Sequence, residues 1–304
     1  MFRKSEPEVG NLRIFGGQAS AELTTDICRY LGVEVGAAEI FKFSNDNTFV
    51  RILENVREED VFVVQTSAPP VDQSFMELLI MVDALRRASA RRITAVLPYY
   101  PYVRSDKKDQ PRVPITARLV ADLLVTAGVN RVVTVDLTAD QIQGFFTIPA
   151  DHLTAQSVLA GYFTAKQLSN PVVVAPDPGS VKRAQRFSQR LAAPVAFVDK
   201  RRVSPAEASG AEVVATTVVG NVKGCQAILF DEEVDRGSSI VNATNLLMER
   251  GATQVYAACT HPVLSGPAKE RLSLAPIREL VVTDTIPVSS SKRWPNLVVL
   301  SIAP

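Results

Sequence analysis

Histidine is almost missing: the 304 residues contain two, His152 and His261. That excludes a multi-histidine metal centre and leaves little material for a serine–histidine or cysteine–histidine nucleophile. Cysteine is nearly as scarce. Cys28, Cys225 and Cys259 are far apart and odd in number, which argues against a disulfide framework and fits the reducing cytoplasm. No apolar run approaches the roughly 18 residues of a membrane span. The basic opening MFRKSEPEVG is followed by no apolar segment, so no secretory signal is expected. An excess of either charge is also lacking, since 33 basic residues against 32 acidic leave a net charge of +1. Nothing in that balance draws the chain to nucleic acid or to a membrane surface, and any anion site must be local.

What the chain does have is apolar material, 46% of its residues, and enough length for two domains. Short runs rich in β-branched residues recur at Val61–Gln65, Ile93–Pro98, Val132–Val135, Val172–Ala175, Ala227–Phe230 and Val255–Cys259. Their continuous apolarity predicts parallel strands buried on both faces. Between them, Phe75–Ala90 and Ile115–Ala127 repeat leucine and valine at helical spacing, the second stopping at Gly128, a C-cap residue. Such alternation predicts an α/β fold of mainly parallel sheets flanked by helices. The first series of units ends near Pro149–Leu153, which sets the expected domains at 1–150 and 151–304. No internal repeat is visible.

Ligands in such sheets bind beyond the carboxyl ends of the strands, and four loops there carry reactive residues. After AILF come Asp231, Glu232, Glu233, Val234, Asp235, Arg236, Gly237, Ser238 and Ser239, followed by a helix expected from near Ile240. Gly237 permits a tight turn, a serine can cap the helix, and the free N–H groups would seat a phosphate. After VVVA comes Asp177, placed either to hold Mg²⁺ or to cap its own turn. Tyr99–Pro114 interleaves Arg104, Lys107, Lys108 and Arg112 with three tyrosines, a composition suited to a nucleotide. Asp199–Ser204 contains Lys200, Arg201 and Arg202 on an expected loop, where cations would stabilise a polyphosphate. Taken singly, each loop also reads as ordinary solvated surface.

Taken together they resemble one family. The segment from ENVREEDVFVVQ to AVLPYYPY, then VPITARLVADLL, VTVDLTADQIQGFF, SVKRA, DKRR and CTHPVLSGPAKERL, follows the order found in ribose-phosphate diphosphokinases. The similarity runs from about Asn11 to Ala303. It implies two tandem phosphoribosyltransferase-type (type I) domains and transfer of the diphosphoryl group of ATP to the 1-hydroxyl of ribose 5-phosphate. It further implies Mg²⁺ and a homo-oligomer, a hexamer built from dimers. Carried onto this chain, Asp231 and Asp235–Ser239 would hold ribose 5-phosphate, Asp177 the metal, and Lys200 with Arg202 the transferring group. Arg104 and Ser105 would hold ATP together with Phe43, Asn45, Asp46 and Asn47 from a neighbouring subunit. Arg57, Gln143 and the loop Ser289–Arg293 fall where the family has a phosphate-sensing effector site.

The chain also departs from that pattern. D-L-H-A reads Asp136-Leu137-Thr138-Ala139, so Thr138 stands where the family's metal-assisting histidine would be. D-T-G-G-T reads Asp235-Arg236-Gly237-Ser238-Ser239, F-S-D-G-E reads Phe43-Ser44-Asn45-Asp46-Asn47, R-Q reads Arg104-Ser105, and T-H-G reads Thr260-His261-Pro262. Most relatives carry a further helix after the stretch that ends here at Pro304. Two readings remain open on the residues: an active diphosphokinase, or a non-catalytic paralogue that binds nucleotide or ribose phosphate and co-assembles with an active synthetase. A single-domain phosphoribosyltransferase would match only half the chain.

Overall fold

The computed structural model describes residues 12–200 and 215–304. They divide into two compact units. One extends to Leu153 and includes Thr285–Pro287 and Ala303–Pro304; the other comprises Thr154–Asp284 and Val288–Ile302.

The first unit runs β1 (Leu12–Gly16), α1 (Ala21–Leu31), β2 (Ala38–Lys42), β3 (Thr48–Ile52), β4 (Asp60–Val64), α2 (Val71–Arg87), β5 (Arg92–Leu97), α3 (Thr116–Ala127), β6 (Arg131–Val135) and β7 (Ala150–Leu153). Its sheet has the order β1-β4-β5-β6-β7, every pair parallel. The strands β2 and β3 form a separate antiparallel hairpin. In α2, Leu78, Met81, Val82 and Leu85 are fully buried, the helical spacing read from the sequence. Gly128 does terminate α3, with φ 120°.

The second unit runs α4 (Gln156–Lys166), β8 (Pro171–Ala175), α5 (Val181–Leu191), β9 (Val195–Lys200), β10 (Ala215–Val219), β11 (Gln226–Val234), α6 (Ser238–Glu249), β12 (Gln254–Pro262), α7 (Ala268–Leu274), β13 (Leu280–Thr283) and β14 (Leu297–Leu300). Its sheet order is β10-β9-β8-β11-β12-β13-β14, parallel except for β10 against β9. The valines of β8 show why the run is apolar throughout. Val172 and Val174 pack into the core on one face and Val173 into the core on the other, all at 0% exposure.

Each predicted strand exists, but β11 and β12 are longer than their apolar runs. β11 continues through Asp231–Val234, residues expected in a loop, because Asp231 and Glu233 stay paired with Cys259 and His261 of β12. Likewise Asp199 and Lys200 belong to β9 rather than to a loop, held by β10. Backbone pairing overrides side-chain polarity at both places.

Candidate functional site

The connection from β8 through α5 leads to β9 on one side, whereas β11 lies on the other. The sheet therefore changes direction between β8 and β11, and the crevice beyond their carboxyl ends is where an open α/β sheet accommodates a ligand. Asp177 follows β8, Asp231 and Glu232 lie in the last residues of β11, and Lys200 is the last residue of β9. Three adjacent strands thus bring together residues 31 and 23 positions apart in sequence (231 − 200 and 200 − 177). Arg202, with Arg201, Val203 and Ser204, lies outside the described residues.

Asp177 does cap its own turn: its carboxylate accepts from the Ser180 N–H at 3.1 Å. Asp231 is held by a hydrogen bond from the Glu232 N–H at 3.0 Å. Its carboxyl group is pushed well above the ordinary range, first by burial, then by the Glu232 carboxylate and by the charge of Asp177. Arg183, in the first turn of α5, puts Nη1 2.9 Å from Glu232 Oε2. That buried oxygen has no directed hydrogen bond, so charge is what compensates it. Both Arg183 and Glu232 stand in loops singled out from the sequence, but their pairing was not legible there. Their signals were an arginine just inside the helix after Asp177 and a second acid beside Asp231.

Beyond β11 the chain turns through Asp235, Arg236 and Gly237 into α6. A serine cap was expected here; the N-cap is Gly237 instead, in the left-handed region at φ 75°, so Ser238 and Ser239 open the first turn. No side chain caps α6 and no acid sits in that turn, which leaves its N–H groups and the exposed hydroxyls of Ser238 and Ser239 facing outward. The turn is braced by Ser265, whose hydroxyl bonds the Asp235 carboxylate and whose N–H donates to the Asp235 carbonyl at 3.1 Å.

In the first unit, Thr138 lies in the loop after β6. Asp136 there is left-handed (φ 37°), and its N–H donates to Leu153 O at 2.9 Å. The Leu137 N–H donates to His152 Nε2 at 2.8 Å, which places the neutral ring's proton on Nδ1. His152 thus anchors the Thr138 loop to β7, a role the sequence did not reveal. Gln143 closes on the same loop, donating to Asp140 O at 3.0 Å. Arg57 is exposed, and its N–H is held by Asn55 at 3.1 Å.

The loop after β5 carries Arg104, exposed, and Ser105, whose hydroxyl takes the Thr116 N–H at 3.2 Å. Of the three tyrosines, Tyr100 is removed as a stacking surface. It is 1% exposed and donates to Ala117 O at 2.9 Å. Tyr102 is exposed and bonded to Asp72. Phe43–Asn47 form the tip of the β2–β3 hairpin, closed by the Phe43 N–H to Asn47 O at 2.9 Å. Asp46 is left-handed at φ 66° and paired with Lys42 at 2.6 Å. In the second unit, Ser290–Lys292 form a single helical turn, with Lys292 Nζ on Val263 O at 3.1 Å.

Residues 12–128 match the family model described as the N-terminal domain of ribose phosphate pyrophosphokinase, and residues 198–298 that of the phosphoribosyl synthetase-associated domain. The chain is 50% identical to a ribose-phosphate pyrophosphokinase of Clostridium acetobutylicum, covering 97% of this chain and 91% of that one. It is 49% identical to that of Bacillus caldolyticus over 96% of this chain and 91% of the relative. A solved phosphoribosylpyrophosphate synthetase from Mycobacterium smegmatis superposes with a TM-score of 0.90 at 48% identity, covering 97% of this chain and 95% of that one. With half its residues identical over nearly its whole length, and a backbone that follows a solved synthetase throughout, the chain belongs to the ribose-phosphate pyrophosphokinase family.

Proposed function

We propose that the crevice between β8 and β11 is where this pyrophosphokinase holds ribose 5-phosphate for diphosphoryl transfer from ATP. The observation that supports it is the convergence of Asp177, Asp231 and the uncapped N-terminus of α6 beyond adjacent strands of one sheet. The 5-phosphate is seated on the N–H groups and hydroxyls of Ser238 and Ser239, with Gly237 giving close backbone approach and Arg236 adding a cation. Asp231 and Asp235 accept from the sugar hydroxyls, fixing the 1-hydroxyl toward the transferring group.

The donor set fits Mg²⁺. No group of three or more potential ligands gathers among the described residues, and Mg²⁺ is characteristically held by one or two carboxylates with phosphate oxygens and water completing its shell. Asp177, at the turn that follows β8, would supply that carboxylate. Bound there, Mg²⁺ would neutralise phosphate oxygens during transfer. Lys200 and Arg202 stabilise the charge that develops on the transferring diphosphoryl group, a role assigned by resemblance.

ATP is held by Arg104 and Ser105, with Phe43, Asn45, Asp46 and Asn47 supplied by a neighbouring copy in a hexamer of dimers. Arg57 and Gln143 belong to the phosphate-sensing site. The division into two domains falls near residues 150–153. We place the chain in the cytoplasm, where its three unpaired, buried cysteines stay reduced; no helix among the described residues is long and apolar enough to cross a membrane.

The test is a coupled assay with ATP, Mg²⁺ and ribose 5-phosphate that quantifies AMP and phosphoribosyl pyrophosphate together. Equal yields of both, lost in Lys200→Ala, are expected. Absence of product from folded protein that still binds nucleotide would instead establish the non-catalytic paralogue.

A further inference from the structure

Arg183 has no part in the assignment above, yet its placement is set by two periodicities that coincide. On α5, Arg183 and Phe187 are four residues apart and share one face. On β11, Phe230 and Glu232 are two apart and share one face. The rings of Phe187 and Phe230 stack with centroids 4.2 Å apart and planes 10° from parallel. Phe187 is fully buried in that stack, so the helix cannot rotate on the strand without opening the core. One rung further along both elements, Arg183 Nη1 meets Glu232 Oε2 at 2.9 Å. Glu232 is 8% exposed, and no cation other than Arg183 is paired with it among the described residues. Asp231, next to it on the strand, is tied to it by geometry: its carboxylate accepts from the Glu232 N–H at 3.0 Å. A buried carboxylate stripped of its partner is costly, and the cost falls on whatever negative group stands closest.

We propose that Arg183 is a positioning residue for ribose 5-phosphate: by cancelling the charge of Glu232 it holds Asp231 in the geometry that receives the sugar hydroxyls. This rests on the reading of Asp231 as a sugar contact. Arg183 touches no substrate. It acts through Glu232, and the stacked phenylalanines set the distance over which it does so.

The experiment is steady-state kinetics on the full chain with Arg183→Gln, Arg183→Lys, Glu232→Gln and the double variant Arg183→Gln/Glu232→Gln, with thermal unfolding measured on each. Arg183→Gln is expected to raise KM for ribose 5-phosphate roughly tenfold while KM for ATP stays near that of the parent. Arg183→Lys keeps the charge beside Glu232 and is expected to retain most of the affinity. The double variant leaves neither charge and is expected to recover KM for ribose 5-phosphate. A double variant as impaired as Arg183→Gln would overturn the proposal, as would equal losses for both substrates. If Arg183→Gln does not fold, the comparison of Arg183→Lys with the double variant decides the matter, because both should bind ribose 5-phosphate. Asp231→Asn separates the two levels of the argument. Unchanged KM for ribose 5-phosphate in Asp231→Asn removes the sugar-contact reading itself; a raised KM there with no effect of Arg183→Gln removes only the role of Arg183.

Discussion

Glu77 shows how a single buried group can set a pH dependence. It lies on α2 at 2% exposure and accepts from the Gln18 N–H at 2.7 Å and from Gln65 Nε2 at 2.9 Å. Burial raises its carboxyl above the ordinary range, against the lowering effect of those two bonds. The folded chain therefore holds this proton more tightly than the unfolded chain. Its contribution is fully present below the ordinary carboxylate range and falls as pH rises through the raised folded value. Gln65 Oε1 is buried beside it with no hydrogen-bond partner. Glu77→Gln keeps the acceptor, removes the charge and brings a donor within reach of Gln65. We expect it to stabilise the protein at pH 7 by about 1 kcal/mol, roughly 2–4 °C in Tm. The gain should shrink towards pH 4. Melting curves of both proteins across that range would show it, and a gain independent of pH would mean that Glu77 stays protonated throughout.

At the scale of elements, the turn from β11 into α6 depends on a conformation that a side chain resists. A Cβ at residue 237 would lie 2.8 Å from Leu272 Cγ of α7, at a φ of 75° that L-residues rarely adopt. Gly237→Ala is expected to cost about 1–2 kcal/mol and to raise KM for ribose 5-phosphate, because α6 must shift at its first turn. Lower Tm with unchanged KM would detach this turn from the phosphate. The same turn marks where the sequence could be read and where it could not. Gly237 was legible because glycine between acids and serines has few other uses; the serine cap was misread, because the left-handed glycine itself occupies the N-cap. Strands buried on both faces announced themselves through valine. The extension of β11 through Asp231–Val234 did not, since it follows from pairing with β12, a contact invisible in local composition. The pairing of Arg183 with Glu232 was not legible for the same reason: it lies in the register of α5 on β11. The place of His152 follows from β7 lying beside β6, which brings its Nε2 to the Leu137 N–H.

For the molecule as a whole, the hairpin β2–β3 carries the most consequence. Its register alternates two faces: Ala38, Ile40, Val50 and Ile52 pack on the core of their own unit, whereas Phe41 and Phe49 stand opposite each other on the other face. With Phe43 they form an aromatic cluster, centroids 4.8–5.5 Å apart, in which Phe41 is 38% and Phe43 48% exposed. An outward cluster of this kind can be altered without disturbing the core beneath, which makes the shared-site arrangement open to a mixing test. If the hairpin of one copy completes the ATP site of another, Phe43→Ala should be inactive through its hairpin and Lys200→Ala through its own crevice. Co-assembled, the intact hairpin of a Lys200→Ala subunit would complete the site of a Phe43→Ala subunit, whose Lys200 is unchanged. Activity should then reappear in the co-expressed mixture though neither variant has it alone, and sedimentation should show one assembly containing both. If the mixture stays inactive while the assembly forms, each chain builds its ATP site from its own residues. If Phe43→Ala is active by itself, the hairpin has no part in that site.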